Sequence, residues 1–272
     1  MSKLILSVEK ALLSKQVVKV ITGLANLDVH DVINKVKAAE IAGATYVDIA
    51  AHPDLVILVK SIVSIPICVS SIHPRDLYQC ILVGADMVEI GNFDIFYFKN
   101  ITFSYDQIIN IAQETKSLLQ NINICVTVPH YLLLEQQVKL ARHLKQIGIN
   151  CIQTEGWMAK SHNKNNSAIF RSITNSSSAL SSSYAINNSI DIPIIAASGI
   201  NSTSAPIAIS YGASGVALGS VLNNFKSITA ISSYIREVID SMYYYGKNEY
   251  KQIHATKYNF LLMRFYNRLT YN

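Results

Sequence analysis

A closed eightfold β/α barrel of the TIM type is the architecture this sequence predicts, on three observations. Short apolar runs of strand character alternate with helical stretches along the chain, at the spacing βαβ units need. The length of 272 residues suits a barrel of about 250 residues with a short extension, and demands no second domain. Residues Ile192 to Leu222 read as strand, glycine turn, helix, strand and glycine turn, which matches the phosphate-holding end of such barrels, after strands seven and eight. An open doubly wound sheet is the alternative, but it would carry its glycine-rich loop in the first turn instead of near the C-terminus.

Taken in order, a helix at Lys3 to Leu13 leads to strand one, Val17 to Ile21, which stops at Thr22-Gly23. A helix from about Asp31 to Ala42 follows, then strand two at Tyr46 to Ala50, a helix from Pro53 to Val63 and strand three at Ile67 to Ser70. His73-Pro74 opens a helix that ends before Gly84, because proline suits a first helical turn. Strand four is Met87 to Ile90, the next helix is Tyr105 to Leu119, and strand five is Ile124 to Val128. A helix from Leu133 to Gln146 stops at Gly148 before strand six, Cys151 to Thr154.

The stretch from Glu155 to Ile190, with polar Ser161 to Ser167 and serine-rich Ser176 to Ser183, is too long for a simple loop. It is read as a mobile loop from Trp157 to Asn166, of the kind that makes lids or surface excursions, followed by helix six. Strand seven is Ile192 to Ala197, its helix starts at Asn201 or Ser202 and stops at Gly212, and strand eight is Gly215 to Leu218. Gly219-Ser220 should open the next helix, and a helix from Ile228 to Tyr244 ends near Gly246. Residues 1–246 are thus assigned to the barrel and 247–272 to a C-terminal extension, where Leu261, Leu262 and Phe265 form an apolar stripe for the barrel or another subunit.

The two glycine turns predict an anion site. Backbone N–H groups of Ser198, Gly199, Ile200, Gly219 and Ser220 converge at one end of the sheet, and a helix N-terminus adds partial positive charge. Glycine is needed where a Cβ would keep the backbone away from the anion. The same residues also suit plain tight turns.

Side chains alternate across a strand, so turning Val18, Val20, Val47, Ile49, Val88 and Ile90 toward the helices leaves Lys19, Asp48 and Glu89 pointing into the barrel. The same reasoning puts Thr127, Gln153 and Glu155 inside. A barrel interior that serves only packing uses Val, Leu and Ile, and buried charges cost several kcal/mol unless paired. These six are therefore the candidate catalytic residues, with a buried structural salt bridge as the alternative. His52 and His130 end strands two and five, where barrel enzymes keep catalytic groups, although each also suits a cap or surface role. No His-x-His or HExxH spacing marks a zinc site, while Asp48, Glu89 and Glu155 also suit a divalent ion.

A formal charge of +5, with lysines scattered and no basic run interleaved with aromatics, argues against a nucleic-acid groove. Cys68, Cys80, Cys125 and Cys151 form no CxxC pair and read as reduced, buried small hydrophobes. No signal sequence and no apolar run of about 18 residues is visible, so a soluble protein made where it works is expected. Abundant Ile, Asn, Lys and Tyr with few Arg suggest an AT-rich genome such as an organelle's.

The strings KVITGLANLD, YVDIAAHPDLV, IPICVSSIHP, GADMVEIGNFD, VTVPH, IQTEGW and IPIIAASGI, in this order and spacing, resemble the plastid and cyanobacterial family called hypothetical chloroplast reading frame twenty-three. The resemblance covers about residues 10–225. It implies a TIM barrel, a plastid-encoded protein and a stromal location, and it supplies no activity.

Three functions fit these observations. The leading one is an enzyme of isomerase, lyase or synthase type acting on a small phosphorylated metabolite, with Lys19 as Schiff-base former or ion-pair partner. The second is an FMN-binding oxidoreductase with Lys19 near the flavin ring. The third is a non-catalytic, phosphometabolite-binding regulatory or assembly protein, acting as a homo-oligomer or through a partner on its Tyr-rich tail.

Overall fold

The computed structural model describes residues 3–97, 99–156 and 168–243. Eight parallel strands close into a barrel in chain order, β8 pairing back onto β1, so the predicted fold class is met. They are β1 (Val17–Ile21), β2 (Tyr46–Ala50), β3 (Ile67–Ser71), β4 (Met87–Ile90), β5 (Ile124–Val128), β6 (Cys151–Thr154), β7 (Ile194–Ala196) and β8 (Gly215–Leu218). The helices are α1 (Lys3–Leu13), α2 (Val29–Ala42), α3 (Pro53–Ile62), α4 (Pro74–Leu82), α5 (Asp94–Tyr97), α6 (Tyr105–Leu118), α7 (Leu134–Ile147), α8 (Ala168–Asn187) and α9 (Ser204–Ser210). A last helix, α10, covers residues 228–243. Among the described residues, no helix is long and apolar enough to cross a membrane.

The alternation chooses the faces as expected. Val18, Val20, Val47, Ile49, Val88, Ile90, Val126 and Ile152 turn outward against the helices and are no more than 2% exposed. The inward set builds layers along the barrel axis. Val17, Tyr46, Cys68, Met87, Cys125 and Cys151 pack together in the lowest, with Val8 of α1 among them. The charged and amide side chains form the layer above, since register places Lys19 beside Tyr46, Asp48 beside Cys68 and Thr127 beside Gln153. All four cysteines are buried and free.

Several boundaries differ from the sequence reading. β7 is shorter than Ile192 to Ala197 because Pro193 has no N–H for the ladder; its carbonyl still accepts from Ile152 N at 2.9 Å. α9 starts at Ser204 because Asn201 Oδ1 first gathers the N–H groups of Thr203 and Ser204, both at 3.0 Å, into a local turn. Gly219-Ser220 opens a 3-10 turn over Ser220–Asn224 instead of an α-helix. The short α5 was not foreseen. The serine run lies inside α8, where Ser177 and Ser183 donate back to the Thr174 and Ala179 carbonyls at 2.9 and 2.8 Å. The expected mobile loop, Trp157 to Asn166, and the stripe of Leu261, Leu262 and Phe265 lie outside the described residues.

Candidate active site

Lys19 stands at the centre of the middle layer. Its Nζ lies 2.7 Å from Asp48 Oδ2 and 2.5 Å from Glu89 Oε2, and donates to Gln153 Oε1 at 2.9 Å. Three acceptors surround three ammonium protons, with the side chain 0% exposed. Burial pulls its pKa down, but the charges of Asp48 and Glu89 outweigh this and hold it well above the ordinary lysine value. In this arrangement Lys19 is an ion-pair partner with no lone pair to attack a carbonyl. Burial pushes the Glu89 carboxyl above its ordinary range, Lys19 opposes that, and Asp48 adds to it.

An amide shell covers these charges. Because Gln153 Oε1 accepts from Lys19 Nζ, its Nε2 must face the other way, and its two protons are shared among Glu89 Oε1 at 2.7 Å, Asn92 Oδ1 at 3.0 Å and Thr127 Oγ1 at 3.2 Å. Asn92 Nδ2 in turn reaches Asp48 Oδ2 at 3.0 Å and Ser70 Oγ at 3.1 Å, and Ser70 donates to Asp48 Oδ1 at 2.5 Å. Thr127 donates to Glu89 Oε1 at 3.0 Å. Asn92 reaches inward because the chain turns sharply after β4, with φ of 148° at Gly91 and 59° at Asn92.

Above this layer opens a cavity of about 830 Å³ at the C-terminal end of the strands. Gln153, Asn92 and Glu155 line it, whereas Lys19, Asp48, Glu89 and Thr127 lie beneath its floor, 0 to 1% exposed. Sequence reasoning brought all six together, and the structure separates a buried supporting set from those that meet the cavity.

Glu155 is the carboxylate that meets it. Its Oε2 accepts from Tyr97 Oη at 2.7 Å and His130 N at 3.3 Å and lies 3.3 Å from His130 Nδ1, while Oε1 accepts from Phe93 N at 3.2 Å. Of these partners, only His130 was anticipated. Tyr97 comes from α5, and its ring meets the His130 ring edge-on with centroids 5.1 Å apart. Glu155 Oε1, with one donor among the described residues, retains acceptor capacity.

The wall beside Glu155 continues through the turns after β7 and β8. Ser198, Gly199, Ile200, Gly219 and Ser220 all line the cavity. The chain is left-handed at Ser198 and Gly199, with φ of 68° and 71°. A Cβ on Gly199 would come within 2.6 Å of Asn175, so this glycine is required by close approach of α8. Among the described residues, the N–H groups of Ser198, Gly199, Ile200, Gly219 and Ser220 donate to no other backbone carbonyl. Asn223, in the 3-10 turn that follows β8, accepts at Oδ1 from Lys35 Nζ at 2.7 Å and so is turned with its NH₂ group away from that lysine.

With this geometry in view, comparison with known proteins is direct. A family model described as protein of unknown function (DUF561) matches residues 1–247. This chain belongs to DUF561. The uncharacterized protein ycf23 of Antithamnion sp. is 46% identical over 236 residues, covering 84% of this chain and 85% of that one. Its namesake from Porphyra purpurea is 43% identical over 220 residues, covering 81% and 82%. The resemblance carried by the seven sequence strings is therefore borne out. Among solved structures, thiamine phosphate pyrophosphorylase from Pyrococcus furiosus matches with a TM-score of 0.57 at 16% identity, over 85% of this chain and 97% of that one. (S)-3-O-geranylgeranylglyceryl phosphate synthase from Thermoplasma acidophilum, in complex with sn-glycerol-1-phosphate, matches with a TM-score of 0.59 at 11% identity, over 89% and 98%. At these identities the DUF561 chain shares their fold.

Two expectations do not join this DUF561 site. His52 is the exposed N-cap of α3, makes no side-chain capping bond and is not among the residues lining the cavity. For a divalent ion, Asp48 and Glu89 are already engaged by Lys19, and among the described residues no three His, Cys, Asp or Glu side chains are grouped to hold a metal. Asn92, Ser70 and Tyr97 were missed. The inward alternation that selected Glu89 would also have selected Ser70, but a hydroxyl in a strand carries no charge to draw notice.

Proposed function

We propose that this chain is an enzyme of isomerase, lyase or synthase type, working in the plastid on a small phosphorylated metabolite. The phosphate would sit on the N–H groups of Ser198, Gly199, Ile200, Gly219 and Ser220, with the Ser198 and Ser220 hydroxyls adding hydrogen bonds. The observation that carries this reading is that unengaged N–H groups and an acceptor carboxylate, Glu155, line one cavity. Two fold relatives whose names include phosphorylated compounds agree with it.

In the proposed chemistry Glu155 Oε1 removes a proton from the substrate, and the donors on Oε2, Tyr97 and His130, stabilise the carboxylate and hold its orientation. Asn92 and Gln153, locked by the charges beneath, present fixed amide edges from the floor. The flavin reading is less well supported, because it sets Lys19 beside the ring and Lys19 is saturated below the floor.

Gly219→Val tests the phosphate seat. A Cβ there would meet only Ile21, at 3.6 Å, so the fold should survive while the branched side chain intrudes on the cavity wall. Binding of inorganic phosphate and glycerol 3-phosphate, measured by calorimetry, should weaken about ten-fold or more, which is about 1.4 kcal/mol. Unchanged binding in a folded variant would remove the seat. Glu155→Gln tests the base: candidate sugar phosphates incubated in deuterated water should gain deuterium with the wild type and not with the variant.

A further inference from the structure

The lowest layer of the barrel holds a feature that the proposed chemistry does not use. A second cavity, about 300 Å³, lies at the end opposite the candidate active site, between α1 and the barrel floor. Val8, Leu12 and Leu13 of α1 form one wall, and Met87, Cys125 and Cys151 contribute a polarisable opposite wall. Tyr46 reaches the same space while only 2% exposed. Among the described hydrogen bonds none reaches its hydroxyl, and that oxygen is not among the sealed polar atoms without a partner, so it is open to the pocket. Its raised pKa, due first to burial, keeps the phenol protonated and hence a donor.

We infer that this floor pocket binds a small, largely apolar molecule bearing one hydrogen-bond acceptor, held by the Tyr46 hydroxyl between α1 and the ends of β4, β5 and β6. A volume of about 300 Å³ is at the small end of ligand sites, and mostly apolar walls with a few placed polar groups, here Tyr46 with Glu9, Asn123 and Asn150, are what such sites use. An anionic ligand is disfavoured, since among the described residues lining the pocket Glu9 is the one charged group and no cation is present. Because Tyr46 sits beside Lys19 across the β1–β2 register, the occupant lies directly under the charged layer.

The test uses acetophenone and ethylbenzene, near-isosteric probes that differ in one carbonyl, with the full-length protein and saturation-transfer NMR. Acetophenone should bind about five-fold more tightly than ethylbenzene, as one net hydrogen bond allows. Tyr46→Phe, which keeps the ring and the fold, should bind the two equally. Leu12→Trp fills the pocket from α1 and should bind neither, with its circular dichroism unchanged. Failure of acetophenone to bind wild type, an unchanged preference in Tyr46→Phe, or full binding by folded Leu12→Trp would each overturn the assignment.

Discussion

Replacing Lys19 with methionine should destabilise the fold by about 3–5 kcal/mol, the usual result of removing one partner from a buried ion pair. The substitution preserves most of the volume, so the loss reports charge: Asp48 and Glu89 would face each other at 1% and 0% exposure with no cation. Its pH dependence identifies the cause. In the variant the Glu89 carboxyl, already raised by burial, also loses the opposing charge of Lys19, so its folded pKa lies above its unfolded one and the native state binds more protons than the unfolded state between those values. Stability then rises as pH falls. Urea melts between about pH 8 and about pH 5 should return part of the loss on the acid side. The wild type behaves differently at the other extreme. The Lys19 pKa is raised in the fold, so its contribution is complete below the ordinary lysine value and fades only at higher pH. An equal loss at every pH would assign the effect to packing.

Gly91→Ala should be nearly as damaging, at about 3 kcal/mol or more. The φ of 148° at Gly91 is one that a side chain resists, and an added Cβ would overlap Thr127 Oγ1 and Cβ and approach Thr127 N to 3.2 Å. Thr127→Ser in the same chain should give no rescue, because the Cβ that obstructs remains. Thr127→Gly should restore part of the stability. Thermal melts of the single and double variants measure both, and a harmless Gly91→Ala would mean that the turn after β4 relaxes freely.

The barrel was legible because its signals are local and repeated. Val18 and Val20 flank Lys19, and Val88 and Ile90 flank Glu89, so simple alternation told which side chain enters the barrel. What alternation could not give was depth. Lys19 and Glu155 both point inward, but one lies under the floor and the other on it, and that depends on strand tilt and stagger. Asn92 stayed hidden because a left-handed asparagine after a glycine looks like any turn, and only the fold carries its amide to Asp48. Tyr97 reaches Glu155 from a helix of four residues, too short to leave a periodic pattern. His52 sits at the end of a strand, a place that suits either a catalytic group or a cap, and it stands at the N-cap position before Pro53.

The Lys19 network also bears on how the chain is made. Synthesis delivers Lys19 on the first strand, yet its acceptors arrive on β2, β4 and β6, the last of them 134 residues later in Gln153. A nascent chain that has emerged only through β5 carries an ammonium whose acceptor shell is one member short, and the barrel interior at that stage is a poor place for it. Closure is therefore tied to emergence of the final third of the chain, when β8 also becomes available to seal against β1. Until then the early strands expose their apolar faces, so this is the interval in which the growing polypeptide most needs chaperone cover.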